Sequence, residues 1–157
     1  MAGAILEVRG EELTKLNARL GTFFARVKKP AEGMKVLAST LVSQTKGRIL
    51  DERTSPEGVA WKAWTAKYKK SVLKKGGSRD LLQAEGNLWK DLSPDHGDDF
   101  AQAYTSMIYG RIHQAGSPAT DKNGRDQNIP ARPYLGLSPD NAAELESVFS
   151  AWVEAQL

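Results

Sequence analysis

The 157-residue sequence contains no cysteine. This absence excludes disulfide bonds, zinc–thiolate sites and cysteine nucleophiles, and it suits a reducing cytoplasm. No apolar run approaches the ~20 residues that a membrane-spanning helix needs. The N-terminal stretch MAGAILEVRGEEL also lacks the basic start and long apolar core of a signal peptide. We therefore expect a protein with no membrane contact.

Familiar catalytic motifs are missing as well. The sequence lacks the nucleophile elbow G-x-S-x-G, the dinucleotide fingerprint G-x-G-x-x-G, the P-loop and the metalloprotease motif H-E-x-x-H. Its only histidines are His96 and His113. His113 lies in RIHQAG, where a structural histidine bonded to backbone is the favoured interpretation.

The segment PDHGDD (94–99) clusters three carboxylates and a histidine. A hard cation such as Mg²⁺ could bind such a cluster, but a polar hairpin turn is the favoured interpretation. One nuclease pattern pairs Pro-Asp with a later acid-x-Lys. It fails here because the only lysine after Asp95 is Lys122, and residue 120 is threonine. We therefore expect no enzyme activity, no metal and no cofactor.

Basic charge is concentrated in one stretch. Residues 61–75, WKAWTAKYKKSVLKK, carry six lysines and no acidic residue. Subtracting that +6 from the net charge of +3 leaves −3 for the rest of the chain, so the basicity is a local patch. Three interpretations stay open. The favoured one is an amphipathic helix with its aromatic residues in the core; the others are an interface with an acidic protein surface, and phosphate binding with base stacking.

Apolar spacing predicts the secondary structure. The most regular stripe follows Pro30 and runs from Met34 to Ile49 at three- and four-residue intervals. A final helix begins with Ser138 as N-cap and Pro139 at the first helical position. Further helices are predicted over 11–27, around 81–82 and over 109–116; strands are predicted over 4–9, leading out of 87–92, and over 100–107, with 93–99 as a turn.

These elements indicate an α+β fold, with about four helices packed on a small, mainly antiparallel β-sheet and extended loops. The length fits a single domain over 1–157. Within it, 62–79 and 116–135 are predicted to form extended loops or arms. The first contains KKGGS at 74–78, and 117–128 shows no hydrophobic period.

The stretch IPARPYLGLS (129–138) combines two prolines with an arginine, a tyrosine and a glycine. Pro130 and Pro133 fix φ near −65° and remove backbone donors, so Arg132 is held extended. A stiffened segment loses less entropy on docking, while Arg132 and Tyr134 offer donors and a rigid amphipathic surface. The stretch is therefore predicted to be a rigid connector that positions the final helix, and the same features suit an interface.

Four blocks, taken in order, resemble the phage virion morphogenesis family, the tail-completion proteins of Mu-like and P2-like tailed phages. The specific part is IHQ…G followed by IPARPYLG, whereas SP-x-G-x-x-W is shared more loosely with other tail and neck components. Glu85 stands where the family usually has threonine before the turn glycine, Gly86. The resemblance covers most of the chain through RILDERTSPEGVAWKAW (48–64), DLLQAEGNLWKDL (80–92), YGRIHQAG (109–116) and IPARPYLGLS (129–138).

The resemblance implies a structural, non-enzymatic role in tail completion and head–tail joining. Tail terminator, neck ring and head-completion factor are all compatible stations. We expect a ring-forming subunit of the virion that occupies the host cytoplasm during assembly. Its expected partners are other copies of itself, the phage head-completion, neck and tail tube proteins, and DNA contacted non-specifically in the lumen. A nucleic-acid-binding module built on 61–75 is the alternative.

A ring requires one patch to meet a different patch on the neighbouring copy. We expect the two patches in the lysine–aromatic stretch and the 116–135 region, with two residues of the IHQ block just before it. The candidates are Trp61, Trp64, Lys67, Tyr68, Lys69, Lys70, His113, Gln114, Arg132, Pro133 and Tyr134.

Overall fold

A computed structural model describes residues 4–9, 29–78, 80–117 and 128–155, with only the backbone of Val8 and Arg9. The helix predicted over 11–27 lies outside these residues. The described parts contain β1 (Ala4–Arg9), α1 (Pro30–Gly47), α2 (Ala66–Lys74), α3 (Asn87–Asp91), β2 (Ser93–His96), β3 (Phe100–Thr105), α4 (Ile108–Ala115) and α5 (Pro139–Glu154). None of the described helices is long and apolar enough to cross a bilayer.

The chain divides into two compact units. The site unit comprises the described residues of Thr45–Leu92 and Thr105–Gly136. The sheet unit comprises those of Ile5–Gln44, Ser93–Tyr104 and Leu137–Leu157. The predicted α+β class with a small, mainly antiparallel sheet is confirmed.

In the sheet unit the strand order is β1-β3-β2, and β2 pairs antiparallel with β3 from Ser93↔Tyr104 to His96↔Ala101. The predicted stripe of α1 is buried, as are the apolar residues of α5. A Cβ on Gly33 would lie 2.8 Å from Trp152, so only glycine allows α1 and α5 to approach this closely. The buried side chains of the two helices include Met34, Leu37, Ala38, Leu41, Leu145, Phe149 and Val153.

The predicted start of the last helix is confirmed. Ser138 Oγ accepts a hydrogen bond from the Asn141 N–H at 3.1 Å, and the Asn141 side chain accepts one from the Ser138 N–H. This reciprocal capping box satisfies backbone donors that the first helical turn leaves unpaired. Pro139 occupies the first turn, where no donor is needed.

Two local predictions were wrong. The turn predicted over 93–99 is a strand in its first half, because β3 pairs with it and Asp95 accepts a hydrogen bond from Gln102 Nε2 at 2.7 Å. The helix predicted around 81–82 does not form, because Leu82 is left-handed with φ of 61°. The next side chain, Gln83, instead donates to the Ile49 carbonyl at 3.0 Å.

In the site unit, α1 continues into a π-helical turn over Arg48–Glu52. Arg53 ends it in the left-handed conformation, with its N–H donating to the Arg48 carbonyl at 2.8 Å. Further along, the Asp91 carboxylate at the end of α3 accepts from Thr105 Oγ1 and the Ser106 N–H, each at 2.6 Å. These hydrogen bonds lower the pKa of Asp91 and fix the chain just before α4.

Candidate assembly surface

The segment 129–136, called here the proline segment, has no helix or strand among its residues. Its backbone groups must therefore find partners elsewhere, since buried N–H and C=O groups are almost always paired. Ile129 and Arg132 pair with backbone groups of the same unit. Further partners are the side chains of Arg48, Trp61 and Gln114, so the segment is held by backbone and side-chain groups around it.

Arg48 makes the most deeply buried of these contacts. Its side chain is 0% exposed, and Nη1 donates to the carbonyls of Tyr134 at 3.0 Å and Gly136 at 2.9 Å. Nε lies 3.7 Å from the Glu52 carboxylate. Burial lowers the pKa of Arg48, and Glu52 partly offsets that effect. A guanidinium that satisfies two carbonyls at once ties the π-helical turn to the proline segment.

Gln114 in α4 holds the same segment from another side. Its Oε1 accepts hydrogen bonds from the N–H groups of Tyr134 and Leu135, both at 3.0 Å, and its Nε2 donates to the Leu135 carbonyl at 2.9 Å. One side-chain amide therefore replaces the partner strand that an extended segment would otherwise need. The glutamine of the IHQ block is an internal clamp.

Arg132 connects the proline segment to the start of the lysine-rich stretch. It is 3% exposed, and its Nε donates to the Lys62 carbonyl at 2.8 Å. Nη2 reaches the Ala63 carbonyl at 3.4 Å. Trp61 Nε1 adds a hydrogen bond to the Pro133 carbonyl at 3.0 Å. Residues 61–63 are therefore pinned to the proline segment immediately before α2.

Helix α2 itself is almost entirely outside the packed interior. Thr65 caps it by accepting a hydrogen bond from the Tyr68 N–H at 3.3 Å, and none of its nine residues is buried. Helical spacing puts Lys67, Lys70 and Lys74 on one side, which we call the lysine face. Tyr68, 51% exposed, meets Trp64 edge to face with ring centroids 5.4 Å apart.

A groove of about 310 Å³ lies beside α2. Its walls carry two aromatic pairs: Trp64 with Tyr68, and Tyr109 with His113, whose ring centroids are 5.8 Å apart. The remaining lining residues are Leu82, Ala84, Glu85, Gly86, Asn87, Leu88 and Ile129. The groove is open and mostly apolar in its walls, as protein-binding surfaces often are.

Two buried polar atoms in this region have no hydrogen-bond partner among the described residues. They are His113 Nδ1 and the Tyr134 hydroxyl. Burial lowers the pKa of His113, and the nearby Arg132 guanidinium lowers it further. Burial likewise raises the pKa of Tyr134 far above its usual range, and Tyr109 and Asp91 add to this shift. His113 is therefore held neutral at pH 7.

The candidate interface residues fall into two groups. One group lies in or around the proline segment and comprises Trp61, His113, Gln114, Arg132, Pro133 and Tyr134. The other lies on or beside α2 and comprises the half-buried Trp64 and the exposed Lys67, Tyr68, Lys69 and Lys70. An interface role for either group stays a prediction, but Arg132 and Tyr134 are too buried to touch a partner directly.

The predicted arms have more structure than the sequence suggested. Helix α2 occupies the middle of 62–79. Of 116–135, residues 132–135 are held by the contacts given above, and 118–127 lie outside the described residues. Nothing in the sequence marks Arg48 as a buried contact, because an arginine within a long amphipathic helix usually points to water.

Comparison with known proteins gives a consistent result. The model of the phage virion morphogenesis family matches residues 11–154. "Putative capsid assembly protein G" of Escherichia phage Mu is 30% identical over 126 residues, covering 78% of this chain and 79% of that protein. "Mu-like prophage FluMu G protein 1" of Haemophilus influenzae is 30% identical over 112 residues, 70% of each chain. No solved structure matches this chain.

Proposed function

Because this chain belongs to the phage virion morphogenesis family, we propose that it completes the phage tail and joins it to the filled head. Membership makes the protein a structural component of phage assembly, associated with the virion. Tail completion and head–tail joining are the finer step that we add. The name of the phage Mu relative refers to capsid assembly, and joining a tail to a capsid is compatible with that name.

The proposal rests on the exposed helix α2 and on the fixed residues just before it. Its flanking residues 61–63 are fixed by Arg132 and Trp61, whereas the helix itself buries no residue. A surface that is ordered before it binds loses less entropy on docking. This combination of a fixed base and an exposed helix suits a protein whose task is to bind neighbours.

We propose that the chain acts as a ring-forming subunit, with about six or twelve copies in a closed ring. Its partners are other copies of itself and the head-completion, neck and tail tube proteins of the phage, which it meets in the host cytoplasm during assembly. DNA that passes through the lumen would contact it non-specifically. No catalytic activity and no cofactor are part of the proposal.

A nucleic-acid-binding module is the second candidate, and the exposure of the α2 lysines favours it. Lys67, Lys69 and Lys70 are all exposed beside Tyr68 and Trp64, and lysines with stackable rings suit a single strand. A gel shift at two salt concentrations separates the candidates. A nucleic-acid-binding module should bind DNA with an affinity that falls steeply as the salt concentration rises, whereas an assembly protein need not bind DNA measurably.

The experiment for the main proposal is deletion of this gene from the phage or prophage that encodes it. Electron microscopy of the lysate is expected to show filled heads and separate tails, and a plasmid copy of the gene should restore joined particles. Quantitative mass spectrometry of purified virions should then find about six or twelve copies per particle. Normal particles from the deleted phage would contradict the proposal. Loss of filled heads would move the role to capsid assembly.

A further inference from the structure

We propose that the lysine face of α2 in one copy binds the acidic outer face of α5 in the next copy of this chain. The acidic face consists of Asp140, Glu144 and Glu154, all exposed. The inference rests on the proposed ring-forming function and names the two surfaces that would close the ring. It differs from the sequence-based expectation, which set the lysine–aromatic stretch against residues 116–135.

Helix α2 has little packing of its own, and its most covered residue, Val72, is only half-buried. The helix has nine residues and none is buried, although isolated helices shorter than ~12–15 residues are marginal in water. Most helical stability in proteins comes from packing of one face. A capped, nine-residue helix with exposed Tyr68 and Leu73 therefore has the character of an element that gains its packing from a partner.

The second argument is the charge on α2. Lys67, Lys70 and Lys74 recur at intervals of three and four residues, so their ammonium groups lie along one side. No ion pair involves any of the three among the described residues. Like charges at this spacing repel one another on an isolated helix. A facing acidic surface would remove that repulsion, and this sets the chemistry of the partner.

The third argument is that the same chain carries a surface of opposite charge. Helix α5 contains acidic residues and no basic residue. Asp140, Glu144 and Glu154 lie opposite its buried side chains, with small residues between them. Small residues allow a second helix to approach closely, and long lysine stems can lie across them. The small exposed residues are Ala143, Ser147 and Ala151.

Part of the acidic face already has neighbours in its own unit. Glu144 accepts a hydrogen bond from Gln44 Nε2 at 2.7 Å, and Lys35 lies with Glu144 along a shallow groove on α1. Asp140 and Glu154, at the two ends of α5, take part in no ion pair among the described residues. Asp140 and Glu154 can therefore accept lysines without breaking the hydrogen bond that Glu144 accepts from Gln44.

A second copy explains both faces, whereas a nucleic acid explains only one. A ring needs a heterologous contact, in which a patch on one subunit meets a different patch on the next. The lysine face spans ~10 Å along its helix, and the acidic face spans ~21 Å, at 1.5 Å per residue. The shorter helix therefore fits along the longer one. Because each patch carries charges of one sign, it would also repel the same patch on another copy.

A charge-swap experiment tests this contact. One variant carries K67E, K70E and K74E, and the other carries D140K, E144K and E154K. Each is supplied from a plasmid to the phage that lacks the gene, alone and as an equal mixture. Each variant alone should repel its own kind and lower the yield of infectious phage at least about tenfold. The mixture should recover most of the yield, because each variant then offers an opposite charge to the other.

The controls separate folding and general charge effects from the contact itself. Circular dichroism of both purified variants should match the unchanged protein, and urea unfolding should differ little, because every substituted residue is exposed and only Glu144 gives up a described hydrogen bond, the one from Gln44. A control variant with K29E, K46E and R111E makes the same change in net charge as the lysine variant at residues that belong to neither face, and it should retain the yield. A chain that carries all six swaps should work by itself.

The outcomes distinguish the contact from the proposed function. If the gene deletion leaves head–tail joining intact, the proposed function itself fails before any variant is tested. If the deletion blocks joining but either variant alone gives full yield, or the mixture does no better than its parts, the α2–α5 contact is overturned while the function stands. Recovery in the mixture alone supports the contact.

Discussion

The proline segment and α2 are neighbours in the site unit and opposites in physical character. The proline segment has no regular secondary structure, yet side chains from three directions hold its backbone, and Arg132 and Tyr134 are buried. Helix α2 is regular and capped, yet none of its residues is buried. The difference separates two tasks: the segment that most resembles the family supports the fold, and the lysine-rich helix that it anchors faces outward.

The largest expected effect is a loss of stability when the contacts that hold the proline segment are removed. Arg48→Met keeps the side-chain bulk but removes the donors to the Tyr134 and Gly136 carbonyls. Leaving two buried carbonyls unpaired should lower the free energy of unfolding by about 3 kcal/mol or more, as measured by urea unfolding. The matched control is Arg53→Met, which removes a partly exposed ion pair with Asp80 and should cost less than about 1 kcal/mol. Equal effects would refute the clamp.

A pair of glycines gives the next effect. A Cβ on Gly110 would lie 2.8 Å from both the Tyr134 hydroxyl and Thr105 Cγ2, whereas a Cβ on Gly47 would meet nothing within 4 Å. Gly110→Ala should therefore destabilise the protein by about 1–3 kcal/mol through overpacking. Gly47→Ala lies in a helical conformation and should stabilise it by up to about 1 kcal/mol. Thermal unfolding of both variants measures the difference, and a harmless Gly110→Ala would show that Tyr134 is not tightly held.

The effect of pH is smaller and reports on the same internal region. Burial and Arg132 lower the pKa of His113 below its usual value of 6.5. The unfolded chain therefore binds a proton at a higher pH than the folded protein, and stability falls as pH drops below about 6.5. Asp91 has a lowered pKa too, but its contribution is lost only below about pH 4.

Urea unfolding at pH 5.5, 6.5 and 7.5 measures the contribution of His113. The unchanged protein should lose stability between pH 6.5 and 5.5, and His113→Gln should flatten this part of the curve because glutamine does not titrate. An identical slope in both proteins would mean that other groups cause the loss.

Local signals in the sequence were sufficient to predict α1 and the start of α5. Two signals are local in the sequence: the apolar stripe from Met34 to Ile49 and the cap at Ser138–Pro139. Each depends only on residues a few positions apart, so each predicts a helix without knowledge of the rest of the fold. The strand at β2 could not be predicted, because its residues resemble a turn until β3 pairs with them. The left-handed backbone of Leu82 could not be predicted either, because it accompanies a hydrogen bond from Gln83 to Ile49, which is 34 residues away in the sequence.

The candidate site could be predicted only in part, because many of its contacts join residues that are far apart in the sequence. Proline spacing predicted that 129–136 would be rigid, but not what would hold it. Arg48 and Gln114 reach the segment from 86 and 21 residues away, and no local pattern reveals such partners. The lysine-rich stretch was visible in the composition, whereas its lack of buried residues is a property of the folded chain. The proposed function therefore rests on the exposure of α2 as well as on the lysine-rich sequence.

The most direct test measures stability and head–tail joining on one variant, with K67E, K70E and K74E together. We assign α2 to assembly and the proline segment to folding. We therefore predict a free energy of unfolding within about 0.5 kcal/mol of the unchanged protein, as expected for exposed sites, together with a lysate of filled heads and unjoined tails. Joined, infectious particles at the normal yield would contradict it.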